Sequence, residues 1–275
     1  MWPIIKFKRN ENLEIKKDID LDQDRLIEHG EQIGEIYKAN KKVNVKRLLL
    51  NRLDDNFREI ERIYLYFNKN TDKELPKGTE WLLDNFYIIE LVYKQLKLSL
   101  KEQKNIRVRI IEKGTLRGYP LIYVLALELI SHSGGNITEE NIKGFVNGFQ
   151  REEILTLEEI FHLPNFLVLG LIEYIRDISS DLLCTYEIWK KVEEINLEKN
   201  LKKILGEIHT LDTREIERLI RKIRGKGEPV LWALEAIDKK LDYIGTSTKT
   251  ILEREYIRQS KYKLSLGYGI SSLRE

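Results

Sequence analysis

Gly118-Tyr119-Pro120-Leu121-Ile122-Tyr123-Val124-Leu125-Ala126-Leu127-Glu128-Leu129-Ile130-Ser131-His132 is the stretch on which the fold turns. Pro120 suits the start of a helix, because its missing N–H falls among the unbonded donors of the first turn. The residues after it are apolar on nearly every face, and a helix without a polar side is enclosed by other elements. The segment therefore reads as the central helix of its domain. Its apolar run Leu121–Leu127 is far shorter than the ~20 residues a membrane-crossing helix requires, and Glu128 ends it. Phe166–Ile172 has the same character and is ended by Glu173.

The punctuation on either side is helical. Prolines are few and sit at boundaries: Pro76 before one helix, Pro120 and Pro229 near the starts of two others. Pro164 lies in the first turns of the helix begun by Thr156 and predicts a break or kink near Leu163. Asp22, Thr79, Thr138, Thr156, Asn196, Asp212 and Ser247 are the cap candidates. Thr156-Leu157-Glu158-Glu159 reads as a capping box. Ser133-Gly134-Gly135-Asn136 supplies residues that tolerate the left-handed conformation ending a helix. The pattern predicts helices near 22–38, 45–69, 79–101, 120–132, 138–150, 157–178, 180–193, 197–208, 212–224, 229–243 and 247–262. Ile106–Ile111 alternates like a strand but is short and strongly charged, a weak signal. The fold class is all-α, a multi-helix bundle of antiparallel helix pairs, with an α-solenoid as the variant that successive pairs leave open. Asn68–Gly78, rich in Lys, Asp and Thr, marks a boundary. It separates a charged N-terminal hairpin, 1–75, from an apolar core, 76–195, with C-terminal helices at 196–275.

Composition excludes several classes. With 42% apolar and 33% charged residues, the chain of 275 residues is neither disordered nor membrane-spanning overall. Lys plus Arg total 47 against 45 acids, so no electrostatic footprint for nucleic acid is present. The cluster Arg218, Arg221, Lys222, Arg224, Lys226 is read as a solvated helix face. Cys184 stands alone, which rules out an internal disulfide and a C-x-x-C zinc pair. Met1-Trp2-Pro3-Ile4-Ile5-Lys6 lacks the apolar core of a signal peptide.

Polar residues within the apolar helices are the candidates for chemistry. On the helix from Thr79, Leu82, Ile89, Val92, Tyr93, Leu96 and Leu100 share one stripe, and Glu80, Asp84, Tyr87, Glu90 and Lys94 gather opposite. Asn85 falls inside the apolar stripe, where its amide needs partners, such as a neighbouring helix end. Glu128 and His132 stand one turn apart on the central helix. A carboxylate there needs a partner: His132, or Arg109 or Arg117 from the preceding loop. The pair is also a conceivable acid/base couple, for which both side chains must open into one concave pocket. Glu173 and Arg176 at i,i+3 read as a tethering ion pair. His29, His132, His162 and His209 are scattered without ligand spacing, so no metal set is assigned. Gly267-Tyr268-Gly269-Ile270-Ser271-Ser272 lacks the third glycine and the preceding strand of a nucleotide loop. Asn85, Tyr87, Tyr119, Glu128, His132, Glu173 and Arg176 are thus the polar candidates for ligand contact or internal bonding, with no catalytic residue assigned.

Five segments in order carry a resemblance: Trp81-Leu82-Leu83-Asp84-Asn85-Phe86-Tyr87, Gly118 to His132 above, Thr156-Leu157-Glu158-Glu159, Ile172-Glu173-Tyr174-Ile175-Arg176, and Ser265-Leu266-Gly267-Tyr268-Gly269-Ile270-Ser271-Ser272-Leu273-Arg274. From about Trp81 to Arg274 the chain resembles the N-terminal region of bacterial cyclic β-1,2-glucan synthases, membrane glucosyltransferases of glycosyltransferase family 84. Leu98–Thr115 departs from the family, being Lys-rich and short where a Pro-rich loop is usual. The resemblance implies a parent enzyme that polymerises glucose from UDP-glucose, starting on the protein itself, then controls length and cyclises. It implies that the metal- and sugar-nucleotide-binding carboxylates lie downstream, so that this segment carries no cofactor. Its implied role is a helical scaffold on the cytoplasmic side of the inner membrane. There it would partner the downstream glycosyltransferase domain of the same polypeptide, possible contact with glucan being a second implication. Membrane attachment would come only through the parent. The alternatives are a stand-alone helical interaction module and an independent enzyme using Glu128 and His132.

Overall fold

The computed structural model describes residues 21–226, 232–243 and 245–274. Among them are ten α-helices and one two-stranded sheet, so the chain is an all-α bundle. The order is α1 (Gln23–Ile36), β1 (Ala39–Asn44), α2 (Lys46–Asn68), α3 (Thr79–Glu102), β2 (Arg107–Ile111), α4 (Leu121–His132) and α5 (Glu139–Phe149). Then come α6 (Leu157–Glu194), α7 (Leu197–Glu207), a 3₁₀ turn (Ile208–Thr210), α8 (Thr213–Lys226), α9 (Trp232–Tyr243) and α10 (Thr248–Ser272). The helix start expected at Pro229 lies outside the described residues.

The segment α4 is enclosed as its composition requires, with every residue from Leu121 to Ser131 buried. It lies against α6, which has 38 residues and so runs about 57 Å. Around this pair pack α2, α3 and the far end of α10. Buried apolar side chains gather in two clusters. The larger runs from Leu26 to Tyr186 and takes in Leu266, Ile270 and Leu273 of the C-terminal segment. The smaller joins Val192 at the end of α6 to α7, α8, α9 and the start of α10.

Four expectations are corrected. First, α6 passes through Pro164 without a break, and the helices expected at 157–178 and 180–193 are one. The proline removes one backbone bond, an interior cost of ~3 kcal/mol. Burial of every residue but Val168 from Phe166 to Ile175, on several faces, offsets it. Ser180 and Thr185 donate to the carbonyls of Arg176 and Asp181, both at 2.8 Å. Their hydroxyls thus bond within the helix rather than end it. Second, α10 extends to Ser272, so the Gly267–Ser272 segment is helical. A Cβ at Gly267 would lie 3.8 Å from the Trp81 ring, and one at Gly269 would lie 3.4 Å from Ile175. Both are ordinary van der Waals separations, so α10 packs on α3 and α6 with room for a methyl group at either position.

Third, the weak strand is real. β2 pairs antiparallel with β1, Lys42 opposite Arg109 and Val43 opposite Val108. β1, Ala-Asn-Lys-Lys-Val-Asn, shows no alternation in sequence because only Ala39 is buried along it. Fourth, Thr79 is the first buried residue of α3 and not its cap. Gly78 holds that place at φ 98°, and its N–H donates to Glu80 Oε2 at 3.0 Å. The side-chain caps at Asp22, Thr138, Thr156, Asn196 and Ser247 form as expected. Gly134 and Gly135, at φ 61° and 84°, end α4 as the sequence indicates.

Candidate functional site

Among the polar clusters of the helical body, three surround buried carboxylates of α4 and α6. The innermost surrounds Glu173 of α6, which is 3% exposed. Arg52 of α2 donates Nε to Glu173 Oε2 at 2.6 Å, and its Nη2 donates to the other carboxylate oxygen. Tyr123 of α4 donates its hydroxyl to Glu173, and Asn56 adds a bond of 3.2 Å. Arg176 is 3.6 Å away and reaches Asp177 at 2.9 Å. Tyr119 borders the cluster, its ring centroid 6.0 Å from the Arg52 guanidinium. Burial pushes the Glu173 carboxyl up, but Arg52 and the Tyr123 hydroxyl outweigh it and hold the group below the usual carboxylate range.

The second cluster centres on Glu159, the capping-box residue. It receives the Thr156 N–H at 2.8 Å while the Thr156 hydroxyl accepts from its own N–H. Glu159 also receives the buried Arg109 guanidinium at 2.9 Å, and Arg109 forms a further pair with Glu153. Arg109 therefore serves α6 and the sheet, correcting its candidacy as a partner of Glu128. The third cluster holds Glu128 of α4 between two imidazoles. His132 Nε2 lies 3.5 Å from Oε2, and His29 Nε2 of α1 lies 3.1 Å from the same oxygen. Burial raises both the Glu128 and Glu159 carboxyls. The imidazoles around Glu128, and Arg109 with the Thr156 N–H around Glu159, more than reverse that effect.

Three carboxyls are thus held low, which fixes the sign of their linkage to folding. Glu173 and Glu159, paired with arginines that stay charged, contribute stability in full above an unfolded value of ~4.3 and lose it as pH falls through their lower folded values. The urea midpoint should hold above about pH 5 and fall below pH ~4.3, and Glu173→Gln should flatten part of that descent. A midpoint independent of pH across this window would contradict the pairing. Glu217 of α8 is different: burial lifts its carboxyl above the usual range despite Arg221.

The remaining candidates do not join these clusters. Asn85 donates to the Trp81 carbonyl at 3.0 Å and accepts from Arg274 at 2.9 Å, joining α3 to the end of α10. Tyr87 points outward and is 63% exposed. A cleft of about 790 Å³ lies elsewhere, lined by Arg218, Arg221, Lys222, Leu252 and Tyr256 among others. Glu128 and His132 do not line this cleft. The basic cluster on α8 is only partly a solvated face. Arg218 pairs with Glu74 and Glu193, both at 2.8 Å. Lys222 donates to the Val192 and Ile195 carbonyls at 2.9 and 2.8 Å, closing the C-terminus of α6.

Sequence reasoning missed His29, Arg52, Asn56 and Tyr123. Arg52 and Asn56 carried a signal, since they share a face of α2 with Leu49, Leu53 and Ile60. His29 carried none, being 99 residues from Glu128. His29, Glu128 and His132 are the group among the described residues whose ligand atoms converge enough to hold a metal.

No family model matches the chain. The chain is 25% identical over 233 residues to the cyclic beta-(1,2)-glucan synthase NdvB of Rhizobium meliloti (strain 1021). The match takes in 80% of this chain and 8% of that protein, so the chain spans a small part of its relative's length. The resemblance carried by the ordered segments is thereby borne out.

Proposed function

We propose that this chain is a non-catalytic helical scaffold, the N-terminal segment of a cyclic β-1,2-glucan synthase-like glucosyltransferase. It lies on the cytoplasmic side and braces the downstream glycosyltransferase domain. The observation that carries the reading is the match to 8% of a glucan synthase over 80% of this chain. Glucan polymerisation from UDP-glucose is accordingly assigned to the rest of the parent. The clusters support this division. Glu173 and Glu159 are each committed to a buried arginine, which is how carboxylates tie helices together rather than meet a substrate. Among the described residues no helix is long and apolar enough to cross a membrane, so membrane attachment is ascribed to the parent.

The purified chain should neither release UDP from UDP-glucose, with Mg²⁺ or Mn²⁺ present, nor bind that nucleotide sugar by calorimetry. Turnover that disappears in Glu128→Gln would instead establish an enzyme within this segment. Heat on adding β-1,2-glucan oligomers, without turnover, would extend the scaffold to one that also holds product.

A further inference from the structure

We infer that His29, Glu128 and His132 form a binding site for a divalent transition metal of zinc type. This departs from the sequence reading, which assigned no metal to these residues. Glu128 and His132 are an i,i+4 pair, so α4 presents a carboxylate and an imidazole side by side on one face. His29 comes from α1 and closes the third side. All three ligand atoms lie within 4.8 Å of one another.

The separations decide the class of ligand. A tetrahedral ion with bonds of about 2.0–2.1 Å sets its ligand atoms ~3.3 Å apart. The His29 Nε2–Glu128 Oε2 and His132 Nε2–Glu128 Oε2 distances are 3.1 and 3.5 Å, on either side of that edge. Both imidazoles turn the same nitrogen toward the same oxygen, and their ring centroids are 4.2 Å apart. To admit the ion, each ring would carry its proton on Nδ1 and present Nε2 to the metal. Two imidazoles and a carboxylate suit zinc over the hard cations Ca²⁺ and Mg²⁺, which prefer all-oxygen sets. The side chains are 17, 8 and 13% exposed, so the site lies just beneath the surface. Its fourth position is left to water or an outside group.

The frame holding these ligands is set without the metal. A Cβ at Gly30, next to His29, would stand 2.3 Å from the Phe145 carbonyl oxygen. One at Gly148 would stand 2.1 Å from the Ile27 carbonyl oxygen. The backbones of α1 and α5 are therefore in contact on both sides of His29 in sequence. The end of α4 is tied to the start of the described chain by the Leu21 N–H, 2.7 Å from the His132 carbonyl. Such a preset site loses little freedom on binding. The metal would clasp α1 to the central helix.

The test is titration of chelator-stripped chain with Zn²⁺ against a chromophoric chelator, with Co²⁺ as spectroscopic probe. One equivalent should bind, and bound Co²⁺ should give the intense visible bands of a low-coordinate nitrogen and oxygen site. Glu128→Gln keeps an oxygen to accept from the imidazoles but withdraws the anionic ligand. It and His29→Gln should weaken binding beyond the ~10–100-fold that loss of an outer-shell partner produces. His209→Ala, at an exposed histidine, should leave binding unchanged. No stoichiometric binding by the unaltered chain, or equal affinity in Glu128→Gln, overturns the site and leaves a hydrogen-bonded His–Glu–His link. The cobalt spectrum of the unaltered chain decides the matter even where a variant does not fold. None of these outcomes depends on UDP-glucose, so the scaffold reading stands or falls separately.

Discussion

Arg52→Ala should lower the unfolding free energy by about 3–5 kcal/mol, enough to leave many domains of this size unfolded at moderate temperature. Its guanidinium makes two bonds to a carboxylate that is 3% exposed, and nothing else on α2 can take its place. Asn56 offers one neutral amide at 3.2 Å, and Arg176 stands 3.6 Å off with Asp177 also to serve. Glu173 would stay ionised at a desolvation cost or take up a proton, and either way folding loses stability. The double variant Arg52→Met/Glu173→Leu separates the worth of the pair from the penalty of orphaning one member. Buried ion pairs exchanged for apolar side chains of similar volume are often neutral or stabilising. The double variant should therefore recover most of the loss, although the Tyr123 hydroxyl then lacks its acceptor. Urea denaturation of the three proteins measures this directly. A double variant no more stable than Arg52→Ala would mean that the arrangement of Arg52, Tyr123 and Glu173 contributes net stability.

This cluster also marks where the sequence could be read and where it could not. The enclosure of α4, the capping box at Thr156 and the isolation of Glu173 in an apolar run all arise from local pattern. Each depends on residues within a turn or two. Partners of the buried carboxylates do not. Arg52 is 121 positions from Glu173, and Arg109 is 50 from Glu159, so only packing brings them together. The pairing of Glu173 with Arg176 was legible at i,i+3, yet it is the longer contact, because Arg52 enters from the facing helix with both nitrogens. Pro164 misled for a related reason. A local rule predicts a break there, while burial on both sides of it belongs to the tertiary fold. β1 was invisible because a lysine-rich strand on one flank of the body shows no apolar period. His29 is the extreme case, since neither spacing nor periodicity sets it beside Glu128.

Gly148→Ala carries the other large effect, and its sign opposes intrinsic preference. Alanine is favoured over glycine inside a helix by about 0.8–1 kcal/mol, and Gly225 on α8 is a position where that preference acts unopposed. Among the described residues nothing lies within 4 Å of a Cβ there, so Gly225→Ala should stabilise by up to about 1 kcal/mol. At Gly148 the new methyl would meet the Ile27 carbonyl oxygen at 2.1 Å and its carbon at 2.9 Å. These are backbone atoms, so no side chain can rotate away, and α1 must lift from α5. Overpacking of this kind costs about 1–3 kcal/mol and occasionally more. Lifting α1 also loosens Leu26 and Ile33, now 1 and 4% exposed, each worth about 1.5–3 kcal/mol when buried. A net loss of about 3 kcal/mol is expected, capped where α1 detaches and the rest of the bundle holds. Amide exchange distinguishes these cases: α1 should lose protection while α4 and α6 keep theirs. Because His29 rides on α1, the same substitution should weaken Zn²⁺ binding without touching a ligand. If Gly148→Ala proved as stabilising as Gly225→Ala, the close α1–α5 approach would be wrong, and with it the fixed position of His29.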